Sequence, residues 1–265
     1  MTHKNLQQLC VQVQQTVTEV GEFLRKELGE VSAQQIETKS LNSLVSHVDK
    51  TAEEMLVEQL SAALPNSVFL TEEETIEQQK GEFRWIIDPL DGTTNFLHQI
   101  PVFAISVALQ QNEETILGVV LEVNRKECFS AFKNGGAFLN DQPIKVKAND
   151  KLSDSLVTTG FPYYDFEREE AYFKLFRKLI HQTRGIRRLG SAAVDLCYVA
   201  CGRFDAYFEY SLNAWDVAAG ALIVQEAGGH VFDFSGENNF LFGKEIVAVN
   251  DGLKKEFMEL IQTHF

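Results

Sequence analysis

Cysteine, proline and basic charge are all scarce in this chain. Its four cysteines, Cys10, Cys128, Cys197 and Cys201, form no Cys-x-x-Cys pair. Nothing in their spacing suggests a disulfide framework. Cys197 and Cys201 stand one helical turn apart and read as buried packing residues. The six histidines are scattered and no His-Glu-x-x-His occurs, which removes the zinc hydrolase pattern. Only five prolines are present, and no repeat or low-complexity tract marks a linker. No apolar run approaches the ~18 residues needed to span a bilayer. The segment from Met1 to Leu28 is polar and periodic and lacks the apolar stretch of a signal peptide, so a cytoplasmic protein without membrane contact is expected. Lysine and arginine number 24 against 38 acidic residues, a formal charge of −14. That balance argues against a nucleic-acid backbone as the principal partner. It also suits an anionic ligand poorly unless bound cations change the local sign.

What is present is an ordinary globular composition. Apolar residues make up 45% of 265 positions, enough for one large domain or two closely packed subdomains. Leu6, Leu9, Val13, Val17, Val20 and Leu24 recur at helical spacing and predict a helix from about Asn5 to Leu28. A second helix is expected from Asp49 to Leu64, with Asp49 as its cap, Glu53 near the capping-box position and Pro65 as its stop. Short strands are read at Ser67–Leu70 and Trp85–Ile87. Antiparallel strands follow at Phe103–Gln110, Ile116–Val123 and Glu127–Phe132, with a turn at Asn134-Gly135-Gly136. Strands at 156–159, 185–188, 206–210, 230–233 and 246–249 then alternate with helices at 165–182, 191–201, 215–227 and 252–264. This pattern is α/β (α+β), with helices layered on sheets. A boundary near Lys147–Ser153 divides it into 1–150 and 151–265.

Three apolar segments end in acids. Trp85-Ile86-Ile87 runs into Asp88-Pro89-Leu90-Asp91-Gly92; Pro89 cannot continue a central strand, so the strand should end at Asp88. Phe69-Leu70-Thr71 runs into Glu72-Glu73-Glu74. Asn213-Ala214-Trp215-Asp216 opens a helix, where an acid is stabilising on electrostatic grounds alone. Each has a plain structural explanation. Taken together, Glu72, Asp88, Asp91 and Asp216 offer hard oxygen ligands from separate element ends, the donor set that magnesium prefers. His98 reads as a rim or packing residue.

The run Trp85 to Phe96 resembles the first signature of inositol monophosphatases, and Trp215 to Gly229 resembles the second, in the same order and at the same separation. The likeness extends from about Gln12 to Val249. It implies a layered αβαβα sandwich and hydrolysis of a small phosphate monoester, such as myo-inositol 1-phosphate, with two or three magnesium ions and a water nucleophile. It implies that Glu72, Asp88, Asp91, Asp216 and the Leu90 carbonyl hold metal. Glu72 and Thr93 would orient the water, with Asp49 bonded to Thr93. Gly92, Thr93 and Thr94 would receive the phosphate. Gly190, Ser191, Ala192 and Glu209 would line the hydroxyls, and Asp216 would lie near the leaving oxygen. A homodimer is implied as well. Residues 1–150 would carry most ligands, and 151–265 the last ligand and the substrate wall. Two departures stand out. Ser43 replaces a common Asp near Lys39, and the loop from Glu74 to Trp85 is short. Related phosphatases acting on fructose 1,6-bisphosphate or 3′-phosphoadenosine 5′-phosphate are the alternatives, and outside catalysis a regulatory binding protein on the same fold.

Overall fold

The computed structural model describes residues 1–30, 47–162 and 165–265, with the backbone alone of 36–40 and 43–46. The side chains of Lys39 and Ser43 lie outside the described residues. Helix α1 (His3–Glu27) buries the expected stripe, Leu6 to Leu24, and Thr2 caps it by accepting the Asn5 amide at 3.3 Å. A short antiparallel pair, β1 (Ile36–Ser40) and β2 (Ser43–Ser46), leads into helix α2 (His47–Ala63). Because α2 starts two residues before Asp49, that residue is inside the first turn and does not cap it. Glu53 is likewise no capping-box partner; both side chains are buried and face the chain that follows.

Strands β3 (Val68–Thr71), β4 (Phe83–Asp91), β5 (Ala104–Gln111), β6 (Glu114–Glu122), β7 (Glu127–Phe132), β8 (Ala137–Leu139) and β9 (Gln142–Ile144) form one sheet in sequence order. Only β3 and β4 are parallel among these neighbours. The hairpin β8–β9 follows the expected turn; three-residue strands leave no alternation for a sequence to display. Beyond the segment at 147–153, β10 (Leu156–Thr159), β11 (Gly185–Arg187), β12 (Ala206–Tyr210), β13 (His230–Phe232) and β14 (Glu245–Val249) form a second sheet, ordered β11-β10-β12-β14-β13. The remaining helices are α3 (Thr93–Leu97), α4 (Glu169–Gln182), α5 (Ala192–Ala200), α6 (Ala214–Glu226) and α7 (Lys254–His264).

Five layers result. Helices α1 and α2 cover one face of the first sheet through Val13, Val17, Leu56, Trp85 and Ile87. Helices α5 and α6 fill the space between the sheets, where Ile86, Val120, Leu196, Val217 and Tyr207 share one core. Helices α4 and α7 cover the far side of the second sheet with Tyr172, Leu175, Phe208 and Phe257. The central helices read apolar all round because both of their sides are buried. Helix α6 lies so close to β6 that a Cβ on Gly118 would sit 2.8 Å from the Ala219 carbonyl oxygen.

Strand β4 corrects the expectation that it stops at Asp88. It pairs with β5 through Asp88 opposite Ser106 and again through Asp91 opposite Ala104. Pro89 and Leu90 therefore face the single residue Ile105, a β-bulge, and a bulge is where a ladder tolerates proline. In a regular strand, residues three apart point to opposite faces. The extra residue returns Asp91 to the face that carries Ile86 and Asp88, between the sheets.

Candidate metal and phosphate site

At the ends of these elements the acids converge. One carboxylate oxygen each from Asp88, Asp91 and Asp216 lie within 4.8 Å of one another. Asp88 reaches the site from β4 and accepts the Leu90 amide at 2.9 Å, a tight turn across Pro89. Asp91, just past the bulge, accepts the Ser191 hydroxyl and the Ala193 amide, both at 2.7 Å. Those donors belong to the start of α5, whose positive dipole end favours an anion. Asp216 is in the first turn of α6, where one oxygen accepts the Asn213 amide at 2.6 Å. Its helix is tied to the first sheet by the Ser106 hydroxyl, which donates to the Trp215 carbonyl at 3.1 Å. Because Ser106 pairs with Asp88 in the ladder, this bond brings the two acids together.

Glu72 follows β3 directly. Thr71 pairs with Ile87, which sets Glu72 level with Asp88, and the two carboxyls are hydrogen-bonded. Burial, then the charges of Glu72, Asp91 and Asp216, hold the Asp88 carboxyl well above the usual range. Burial, then Asp91 and Glu72, do the same to Asp216. Burial raises Asp91 as well, but its bonds to Ser191 and the α5 amides limit the rise to about 6. Acids this close cannot all ionise unless a cation neutralises them. The donors are hard, anionic and buried, and that chemistry fits magnesium.

Thr93 sits beside the cluster. Its hydroxyl lies 3.2 Å from Asp49 Oδ1 and 3.1 Å from the Leu90 carbonyl oxygen. Gly92 precedes it with φ of 98°, and Thr93 and Thr94 open α3. Thr94 and His98 are both exposed. Glu209, on β12, accepts the Tyr207 hydroxyl at 2.6 Å, and burial pushes its carboxyl up to about 7. Gly190 adopts φ of 91°, and a Cβ there would crowd Arg188 Nη1 at 2.5 Å and the Asn95 amide at 3.0 Å. Asn95 donates to the Val102 carbonyl at 2.7 Å and to the Leu189 carbonyl at 2.9 Å, joining the two halves of the chain.

The structure thus gathers Glu72, Asp88, Asp91, Asp216, Thr93 and Asp49. Two residues of the expected substrate wall, Ser191 and Ala192, bond to one of these acids. Ser191 is buried, donates to Asp91 and caps α5 by accepting the Val194 amide at 3.3 Å. The Ala192 amide also bonds to Asp91. Asn95, Ser106 and Tyr207 had no assigned role from sequence, and Glu53 was read there only as lying near a capping-box position. Of these, only Glu53 carried a signal: it lies four residues after Asp49, on the same helix face.

Residues 5–265 match the Inositol monophosphatase family. An inositol-1-monophosphatase of Rhizobium meliloti (strain 1021) is 44% identical over 249 residues, 94% of either chain. A protein of Pseudomonas aeruginosa named Nus factor SuhB is 41% identical over 249 residues, 92% of either chain. The solved structure of an IMPase from Thermotoga maritima superposes with a TM-score of 0.86 at 34% identity, covering 94% of this chain and 95% of that one. With its layered α/β architecture and its gathered acids, this chain belongs to the inositol monophosphatase family.

Proposed function

We propose that this protein hydrolyses a small phosphate monoester, with myo-inositol 1-phosphate as the leading substrate, at a magnesium site formed by Glu72, Asp88, Asp91, Asp216 and the Leu90 carbonyl. The observation that carries this reading is the meeting of Asp88, Asp91 and Asp216 within 4.8 Å at buried strand and helix ends. When bound, magnesium supplies a lower pKa to the attacking water and offsets charge on the phosphate and the leaving oxygen. The protein's part is to place the reactants. Glu72 and Thr93 orient the water, and Asp49, 1% exposed and bonded to Thr93, draws the proton away through that hydroxyl. Gly92, Thr93 and Thr94 present the α3 amides and hydroxyls to the phosphate. Glu209 and Gly190 face the substrate hydroxyls, and Asp216 stands near the leaving oxygen.

Phosphate release by the purified protein tests this, with magnesium and with chelator, on inositol 1-phosphate, fructose 1,6-bisphosphate, 3′-phosphoadenosine 5′-phosphate and histidinol phosphate. Magnesium-dependent preference for inositol 1-phosphate is expected. Preference for another member keeps the metal chemistry and moves the substrate, because wall contacts set discrimination. A regulatory reading is favoured by relatives named Nus factor SuhB, such as the Pseudomonas protein. A folded, metal-loaded protein that turns over none of the four would bring that reading forward. A homodimer belongs to the same proposal, supported by exposed Phe166, Phe173 and Ile180 on and before α4; sedimentation reads it directly.

A further inference from the structure

Glu53 is fully buried on α2, one turn after Asp49, and is the one buried acid of that helix that the proposed chemistry leaves unused. Both of its oxygens are engaged. Oε2 accepts the Glu73 amide at 2.7 Å; Oε1 accepts the Thr75 amide at 2.8 Å and the Thr75 hydroxyl at 2.7 Å. Between these two amides, Glu74 takes a left-handed φ of 52°, which a non-glycine residue adopts only when its surroundings demand it. The backbone after β3 therefore curls around one carboxylate, with alternate amides pointing inward as they do around bound anions. The residue immediately before this curl is Glu72.

We infer that Glu53 is a positioning residue for Glu72: its carboxylate fixes the backbone directly after Glu72 and so holds that fourth acid against Asp88. The first two turns of α2 then serve both sides of the site, Asp49 through Thr93 and Glu53 through the loop at 73–75. This rests on the reading of Glu72 as a metal ligand. Groups that orient a ligand without touching the metal commonly govern affinity by about 10- to 100-fold. Glu53→Gln turns one oxygen into an NH2 group that faces an amide donor, so the loop loses an anchor while the core volume is kept.

Direct manganese binding, read by electron paramagnetic resonance without substrate, tests the inference on the intact protein. The variants are Glu53→Gln, Glu72→Gln and Glu226→Gln. Glu226 clamps the turn at 134–136 by the same kind of bond, accepting the Asn134 and Gly136 amides. It stands about 15 Å along α6 from Asp216. Weakening of about 10-fold or more for Glu53→Gln, with Glu226→Gln within about twofold of the parent, is expected. Unchanged affinity in Glu53→Gln alongside weakening in Glu72→Gln overturns the inference and leaves Glu72 a ligand. Unchanged affinity in both removes Glu72 from the metal site, and the inference with it. Equal weakening in Glu53→Gln and Glu226→Gln reduces Glu53 to a general stabiliser and overturns it too. Should Glu53→Gln fail to fold, Thr75→Val decides: a shift of about threefold or more supports the clamp, and none refutes it.

Discussion

At the residue scale, the site is a set of acids held together against their own repulsion. Removing one charge should therefore have two opposite effects. Asp88→Asn and Asp216→Asn should each lower turnover by at least about a hundredfold, since each removes a proposed metal ligand. The same changes should leave the metal-free protein as stable as its parent or more so, because a buried repulsion is relieved. Phosphate release and thermal unfolding in chelator read the two effects side by side; a variant with near-parental rate would remove that residue from the site. Asp88, Asp91 and Asp216 could be seen in the sequence because their signals are local: a buried strand entering Pro89, Gly92 after Asp91, a helix opening at Asp216. The roles of Ser106 and Asn95 could not, nor could the partners of Glu53, because those partners are Trp215, Leu189, and Glu73 with Thr75. No short-range pattern encodes a bond across such separations.

At the element scale, periodicity located most helices and strands to within a few residues, and it missed some of the short ones, where little of the pattern can repeat. The hairpins β1–β2 and β8–β9 are among the ones it missed. The bulge in β4 was hidden for another reason: proline argued for a stop, and only pairing with β5 shows the ladder resuming at Asp91. Element spacing also controls the site. A methyl group on Gly118 would meet the Ala219 carbonyl oxygen at 2.8 Å and its Cα at 3.0 Å, both backbone atoms that cannot rotate away. Gly118→Ala should cost about 1–3 kcal/mol of stability by urea unfolding, with α6 pushed off β6. Because α6 carries Asp216, the variant should also bind magnesium less tightly, which isothermal titration checks.

At the scale of the whole molecule, five layers carry the acids to one place, and stability should depend jointly on pH and metal. Asp91 rises from an ordinary value of 3.8 to about 6 and Glu209 from 4.5 to about 7. A carboxyl raised in the folded state binds more protons there than in the unfolded chain, so stability falls as pH climbs through that interval. The metal-free protein should melt at a lower temperature at pH 8 than at pH 5, and saturating magnesium should reverse much of that loss. Melting curves at both pH values, with and without the cation, decide it; a flat profile in chelator would show that the acids do not strain the fold. The bulge of β4 has a consequence for how such a molecule can change. A strand has a two-residue reading frame, and the added residue between Asp88 and Asp91 shifts that frame once. Deleting it would turn one of these acids toward α1 and α2, however faithfully every remaining side chain were kept. What the segment must preserve is a count of residues, and a change of length is a graver error there than most changes of letter.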